Sequence, residues 1–96
     1  MNKLLTIDPV VLGRLRDLSK AEKVECLIAL SELIENFGKP HIHSGLSIRK
    51  LGGKLFEFRG SASLRFLFQD RSSDLYVSIL GNHDEINALL RSGKYR

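Results

Sequence analysis

The stretch that decides the fold runs from Leu46 to Asp84 and reads LSIRKLGGKLFEFRGSASLRFLFQDRSSDLYVSILGNHD. Four β-prone runs follow one another in it: Leu46–Leu51, Leu55–Arg59, Leu64–Gln69 and Leu75–Leu80. Gly52-Gly53, Gly60-Ser61-Ala62 and Asp70-Arg71-Ser72-Ser73 separate them. Glycine supplies the positive φ that tight turns need, and Asp and Ser bond back to their own backbone, so each separator reads as a turn. The expectation is a four-stranded antiparallel meander.

Its register follows from face alternation. Residues opposite one another in an antiparallel pair share a face. A three-residue loop at Gly60–Ala62 sets Phe58 against Leu64 and Phe56 against Phe66 on one apolar face, with Glu57 against Arg65 on the other. A loop of two or four residues would instead put Glu57 beside an aromatic ring. A loop at Asp70–Ser73 then sets Phe68 against Leu75, Phe66 against Val77, Leu64 against Ile79, and Arg65 against Ser78. The first run joins through Gly52–Lys54, with Ile48 against Phe58 and Arg49 against Glu57. One face is thus aromatic, and the other is crossed by a row Arg49–Glu57–Arg65–Ser78. That row is the candidate site.

Outward from the sheet, Asp8-Pro9 starts a helix, because Asp caps free N–H groups and Pro suits the first helical position. Val11, Leu15 and Leu18 mark its inner face, with Arg14 and Arg16 turned away. Ser19 with Glu22 three residues on is a capping box that opens a second helix. This helix runs to about Phe37 and stops at Gly38, with Pro40 beyond. Its apolar positions Val24, Leu27, Ile28, Leu30, Leu33, Ile34 and Phe37 form a wide stripe expected to cover the aromatic face. Met1–Ile7 reads as a lead-in or an extra edge strand. Asp84 is placed to cap a last short helix, Glu85 to Arg91, with Ile86, Leu89 and Leu90 packing inward. The result is an α+β fold: an N-terminal helical hairpin on a twisted four-stranded sheet, closed by a short C-terminal helix.

At 96 residues, 43% hydrophobic and 27% charged, the chain is expected to be one globular domain, 1–96, rather than a disordered segment. Its apolar runs are too short for a membrane span, and no signal peptide is read at its start. The single cysteine, Cys26, cannot pair internally and agrees with a reducing cytoplasm. A net charge of +4 favours nucleic acid, ribosome or acidic protein partners. No cofactor or metal site is expected: His41-x-His43 with distant His83 lacks a fourth ligand at recognisable spacing, and Gly52-Gly53 lies in a hairpin, not a phosphate loop.

The arrangement resembles the RelE/ParE superfamily of toxins from bacterial type II toxin–antitoxin modules, from Asp8 to Leu90. The resemblance rests on Gly38 and Pro40 after the second helix, on Arg49-Lys50-Leu51-Gly52-Gly53-Lys54-Leu55-Phe56-Glu57-Phe58-Arg59, on Leu64-Arg65-Phe66-Leu67-Phe68, and on Leu80-Gly81-Asn82-His83. It implies a cytoplasmic toxin held by a cognate antitoxin, in a heterotetramer or larger complex. In RelE-like members it further implies a metal-independent endoribonuclease that cuts mRNA on the ribosome. Such cleavage needs a base for the 2′-hydroxyl, an acid for the leaving oxygen, and cations on the phosphorane.

Residue by residue, the resemblance gives Arg65 the scissile phosphate, which a guanidinium can grip through two donors. It gives His83 the role of the catalytic histidine of YafQ-like members, and an imidazole with a pKa of about 6.5 serves as acid or base. Glu57, where some members carry lysine or histidine, becomes a base or an orienting group. Leu55 stands where a second lysine would be expected. Arg49, Lys50, Lys54 and Arg59, with His43 before the sheet, become RNA-binding residues. Against this, Arg65 could simply pair with Glu57, and His83 could be a loop residue. With Arg65 opposite Ser78, five extended residues would carry His83 roughly 16 Å further on, so only a turn at Gly81-Asn82 brings the two together. Leu67, Tyr76 and Leu80 either pack on the last helix or form an antitoxin groove or a base-stacking platform. The alternative readings are a ParE-like inhibitor of DNA gyrase, acting through Arg14, Arg16 and the tail, a non-catalytic antitoxin-binding member, or an RNA-binding domain.

Overall fold

The computed structural model describes residues 3–38 and 47–93. The elements are β1 (Leu4–Ile7), α1 (Pro9–Arg16), α2 (Lys20–Asn36), β2 (Arg49–Gly52), β3 (Leu55–Arg59), β4 (Leu64–Asp70), β5 (Asp74–Asn82) and α3 (His83–Ser92). They form one mixed sheet in the order β1-β5-β4-β3-β2. The α+β class stands, with one correction to the strand count. The first residues form a fifth strand, parallel to β5, with Leu4 beside Asp74 and Ile7 beside Val77. His41 and His43 lie outside the described residues, as does Pro40.

The helices begin where their caps dictate. Asp8 accepts from Val10 N–H at 2.8 Å, with Pro9 in the first turn, and Ser19 accepts from Glu22 N–H at 3.2 Å. α2 ends one residue short of Phe37, and Gly38 takes φ +94°, a left-handed cap that costs glycine little. The cap of α3 is Asn82 rather than Asp84. Its side chain accepts from Glu85 N–H at 2.8 Å while the Glu85 carboxylate accepts from Asn82 N–H at 2.9 Å. The helix therefore starts two residues earlier, and His83 is its first residue.

The registers differ from expectation in an instructive way. Between β3 and β4 the loop is three residues long but sits one place later, at Ser61–Ser63, with Gly60 N–H bonded to Leu64 O at 2.9 Å. Moving a loop by one residue moves the pairing by two, which keeps every side chain on its expected face but changes its partner. Phe58 therefore opposes Phe66, Phe56 opposes Phe68, Glu57 opposes Leu67, and Arg59 opposes Arg65. The rings of both aromatic pairs stack, at 4.8 Å and 5.3 Å between centroids.

Between β4 and β5, Arg71 N–H bonds to Asp74 O at 2.9 Å, so the turn is tighter than Asp70–Ser73. Phe68 pairs with Val77 but Leu67 with Ile79, which leaves Ser78 as an extra, bulged residue. The bulge re-phases the second half of β5. Leu80 joins the aromatic face opposite Phe66, Ile79 moves to the other face opposite Leu67, and Arg65 lies opposite Gly81 instead of Ser78. Only the β2–β3 pairing of Arg49 with Glu57 is as expected.

Each sheet face has its own core. On the aromatic face, Phe58, Phe66, Phe68, Leu75, Val77 and Leu80 pack with Val11 and Leu15 of α1 and Cys26, Leu30 and Leu33 of α2. At about 1.5–3 kcal/mol for each large side chain removed from water, this layer dominates the stability. On the other face, Leu55 and Leu67 pack with Ile86, flanked by Leu51, Ile79 and Leu90. That face is therefore only partly open. The expected stripe on α2 needs correction as well: Val24, Leu27 and Ile28 are exposed, and the buried line is Cys26, Leu30 and Leu33.

Candidate functional site

The site begins with the second sheet face, where two rows of side chains cross the strands. The first reads Arg49, Glu57, Leu67 and Ile79, and the second Arg59, Arg65 and Gly81. The expected single row is thus split. Glu57 pairs with Arg49, at 2.9 Å from Oε1 to Nη2, and its side chain is only 13% exposed. The Glu57–Arg65 bridge does not form. Among the described residues, Arg65 and Arg59 have no carboxylate partner.

Two guanidiniums facing each other across a ladder work against stability, since directly opposed like charges repel. An anion bound between them would relieve that repulsion. Each guanidinium is always charged and offers a planar fork of donors that fits a phosphate.

Gly81 is where strand gives way to helix. A Cβ at Gly81 would stand 3.2 Å from Glu85 Cβ, so glycine lets α3 start close against the strand. The start of α3 is fixed from three sides. Asn82 and Glu85 cap each other, and Arg14 of α1 reaches the Glu85 carboxylate through both terminal nitrogens, at 3.2 and 2.9 Å. Arg14 beside it, and Asn82 N–H after it, hold the Glu85 carboxyl below the usual carboxylate range. Two residues beyond Gly81, His83 occupies the first helical turn, exposed, with Asn87 Nδ2 at 3.0 Å from its Nε2. With the amide donating, Nε2 is the acceptor and Nδ1 carries the proton of the neutral ring. With β5 re-phased, Arg65 pairs with Gly81, two residues before His83, instead of with Ser78.

Lys50 and Lys54 lie at the β2–β3 end of the sheet, exposed, and Arg59 at the β3–β4 turn. His43 lies outside the described residues, so its place in the site is not defined. Leu67 packs against Ile86, Leu80 belongs to the opposite core, and Tyr76 donates to the Asp8 carboxylate. None of the three forms an open platform. Asn87 and the Arg14–Glu85 pair escaped the sequence reading. Asn87 carries a signal in its spacing four residues after His83, one helical turn on. The Arg14–Glu85 pair, 71 residues apart, carries none. Cys26 is fully buried, and its thiol is pushed up to about 11, chiefly by burial with Glu22 and Glu25 adding, so it is a packed side chain. Among the described residues no three His, Cys, Asp or Glu side chains group to hold a metal, and no helix is long and apolar enough to cross a membrane.

No family model matches the sequence, and no curated protein matches it significantly. Solved structures do match in fold. The archaeal RelE of a RelE–RelB complex from Pyrococcus horikoshii superposes with a TM-score of 0.70 at 19% identity, covering 85% of this chain and 96% of that one. A doubly substituted E. coli toxin RelE in the free state gives 0.69 at 20% identity, covering 98% and 97%. The same toxin in complex with an antitoxin RelBc peptide gives 0.64 at 17% identity, covering 100% and 99%. The chain has the RelE fold over nearly its full length.

Proposed function

We propose that this chain is the toxin of a type II toxin–antitoxin pair, a cytoplasmic endoribonuclease that cuts mRNA on the ribosome and is restrained by a cognate antitoxin. The observation that carries the reading is the unpaired Arg59–Arg65 couple directly opposite Gly81, with His83 opening the helix that follows. The RelE fold supports it, and the matched archaeal and E. coli structures include RelE in complex with its antitoxin.

In this reading the RNA backbone lies across the second row, with a phosphate between Arg59 and Arg65. The 2′-hydroxyl gives up its proton and attacks the adjacent phosphorus. The bond from phosphorus to the 5′-oxygen breaks, the 5′-oxygen takes a proton, and a 2′,3′-cyclic phosphate remains. The guanidiniums stabilise the charge that builds on the phosphorane. His83 takes the proton of the 2′-hydroxyl, its ring turned by Asn87, and solvent water gives the 5′-oxygen its proton. Glu57, held by Arg49, orients the basic cluster from the neighbouring row. Arg49, Lys50 and Lys54 follow the strand of RNA beyond the cut.

Induction of the protein in bacteria, with primer-extension mapping of transcripts, tests this. Growth arrest with cuts at the ribosomal A site is expected. Arg65→Ala should relieve it, and His83→Gln should slow cleavage by about 10²–10⁴-fold. Arrest with gyrase-dependent DNA breaks and intact transcripts, or cleavage indifferent to Arg65→Ala, would overturn the proposal.

A further inference from the structure

α1 packs on the aromatic face of the sheet, whereas Arg65 and Gly81 form their row on the other. The last turn of α1 nevertheless reaches the start of α3. The helix is a fixed platform for that reach. Val11 and Leu15 are buried in the aromatic core, Asp8 N–H bonds to Val77 O at 3.0 Å, and Tyr76 donates to the Asp8 carboxylate. α1 is thus tied to β5 at its start and along its inner face. From its last turn, Arg14 extends to Glu85, three residues past the end of β5.

The two oxygens of Glu85 are both taken. Oε1 accepts from Asn82 N–H at 2.9 Å and from Arg14 Nη2 at 2.9 Å, and Oε2 accepts from Arg14 Nη1 at 3.2 Å. A guanidinium that holds both oxygens fixes the plane of a carboxylate as well as its place. Gly81 closes in from another side, where a Cβ would stand 3.4 Å from Oε1. Without the fork, the carboxylate is free to turn about its last bond and leave Asn82 N–H to water. The charges also suit the helix ends, with Arg14 in the last turn of α1 and Glu85 in the first turn of α3. His83 lies between Asn82 and Glu85, the two partners of the cap. Whatever holds that cap therefore sets the direction in which the imidazole leaves the first turn.

We propose that Arg14 is a positioning residue for His83, acting through the Glu85 carboxylate on the first turn of α3. The inference rests on the nuclease reading above and adds to it a residue that touches neither the RNA nor the reacting atoms. A cation on an exposed helix could instead be offered to a partner. The geometry speaks against that here, since both terminal nitrogens of Arg14 are engaged by Glu85. Arg16, on the same helix, is the natural comparison: it pairs with its neighbour Asp17, and its side chain is 78% exposed.

Two measurements on the full chain test it: cleavage of mRNA on programmed ribosomes, and amide hydrogen exchange at Asn82 and Glu85 by NMR. Arg14→Ala should lower kcat by about fivefold or more with KM held within about twofold, and should speed exchange at both amides. Glu85→Gln keeps an acceptor for Asn82 N–H but loses the second oxygen, so it should act in the same way. The double variant should do no worse than the poorer single one, because both break one contact. Arg14→Lys, a single point charge in place of a fork, should recover only part of the rate. Arg16→Ala removes the same charge and should change neither reading. The Arg14–Glu85 pair is about two-fifths exposed on both sides, so thermal melting should show every variant folded. Rate and exchange unmoved by Arg14→Ala, or additive losses in the double variant, overturn the proposal. So does a loss confined to KM, or one that Glu85→Gln does not share, which would make Arg14 a contact with RNA or ribosome. A parent chain that cuts no transcript overturns the nuclease reading and the role of Arg14 with it, whereas a cutting parent indifferent to Arg14→Ala overturns the role alone.

Discussion

Replacing Gly60 by alanine should disable the fold at the point where it sets the arginine couple. An alanine Cβ there would lie 2.7 Å from Phe66 Cε2, 3.0 Å from Phe66 Cδ2 and 3.1 Å from Cys26 Sγ. Neither neighbour can yield easily. Phe66 and Cys26 are both fully buried, and the Phe66 ring is stacked on Phe58. Overpacking a dense core costs about 1–3 kcal/mol, and two immobile contacts place this site at the upper end, about 2–3 kcal/mol. For a domain of this size each kcal/mol moves the melting temperature by roughly 4–8 °C, so a fall of about 10–20 °C is expected. Thermal and urea unfolding followed by circular dichroism measure it. A double-mutant cycle sharpens the test: in a Phe66→Leu background the same substitution should cost at least about 1 kcal/mol less, because the clashing ring edge is gone. A Gly60→Ala protein within about 0.5 kcal/mol of the parent, or strict additivity with Phe66→Leu, would refute the packing argument and with it the loop placement.

Three further outcomes follow from the remaining contacts. Asp74 accepts two bonds from Arg71 and one from Thr6, which holds its carboxyl down at about 2, and Tyr76 holds Asp8 down as well. Carboxyls depressed in the folded state stabilise above their unfolded pKa and lose that contribution as pH falls, so the urea midpoint should drop from about pH 4 towards 2, and Asp74→Asn should flatten the drop. Ile86→Ala empties the small second core and should cost about 2–5 kcal/mol, with hydrogen exchange in α3 rising before that in β4. The Arg14–Glu85 pair is about two-fifths exposed on both sides, so Arg14→Ala should cost no more than about 1 kcal/mol at low salt.

Much of this architecture was legible in the sequence. Asp8-Pro9 and Ser19 gave the helix starts, and the alternation of Phe56, Phe58, Phe66 and Phe68 gave the aromatic face. The β3–β4 turn shows the limit. Gly60–Ala62 and Ser61–Ser63 are equally good loops by composition, and both keep the phenylalanines inside, so alternation cannot choose between them. Stacking of whole rings, a tertiary effect, favours the second. The Ser78 bulge was hidden for another reason: Leu75, Val77, Ile79 and Leu80 are all apolar, so neither phase of β5 leaves a polar side chain misplaced. On α2, Val24, Leu27 and Ile28 look like core because the sequence records how apolar a face is, not what covers it. For the candidate site, the residue types were readable but their neighbours were not. Arg65 and His83 could be named, whereas the meeting of Arg65 with Arg59 and Gly81 depended on the two registers that composition leaves undetermined.

The parallel pairing of β1 also bears on how the protein comes into being. Leu4 meets Asp74, seventy positions later, and the same separation holds along the strand. During synthesis at roughly 5–20 residues per second, β1 waits about 4–14 s for its partner strand to be made. Until then β5 is missing from beside β4, and the arginine couple has no Gly81 beside it. The five-stranded layer therefore closes only after β5 has been made and β1 has docked along it.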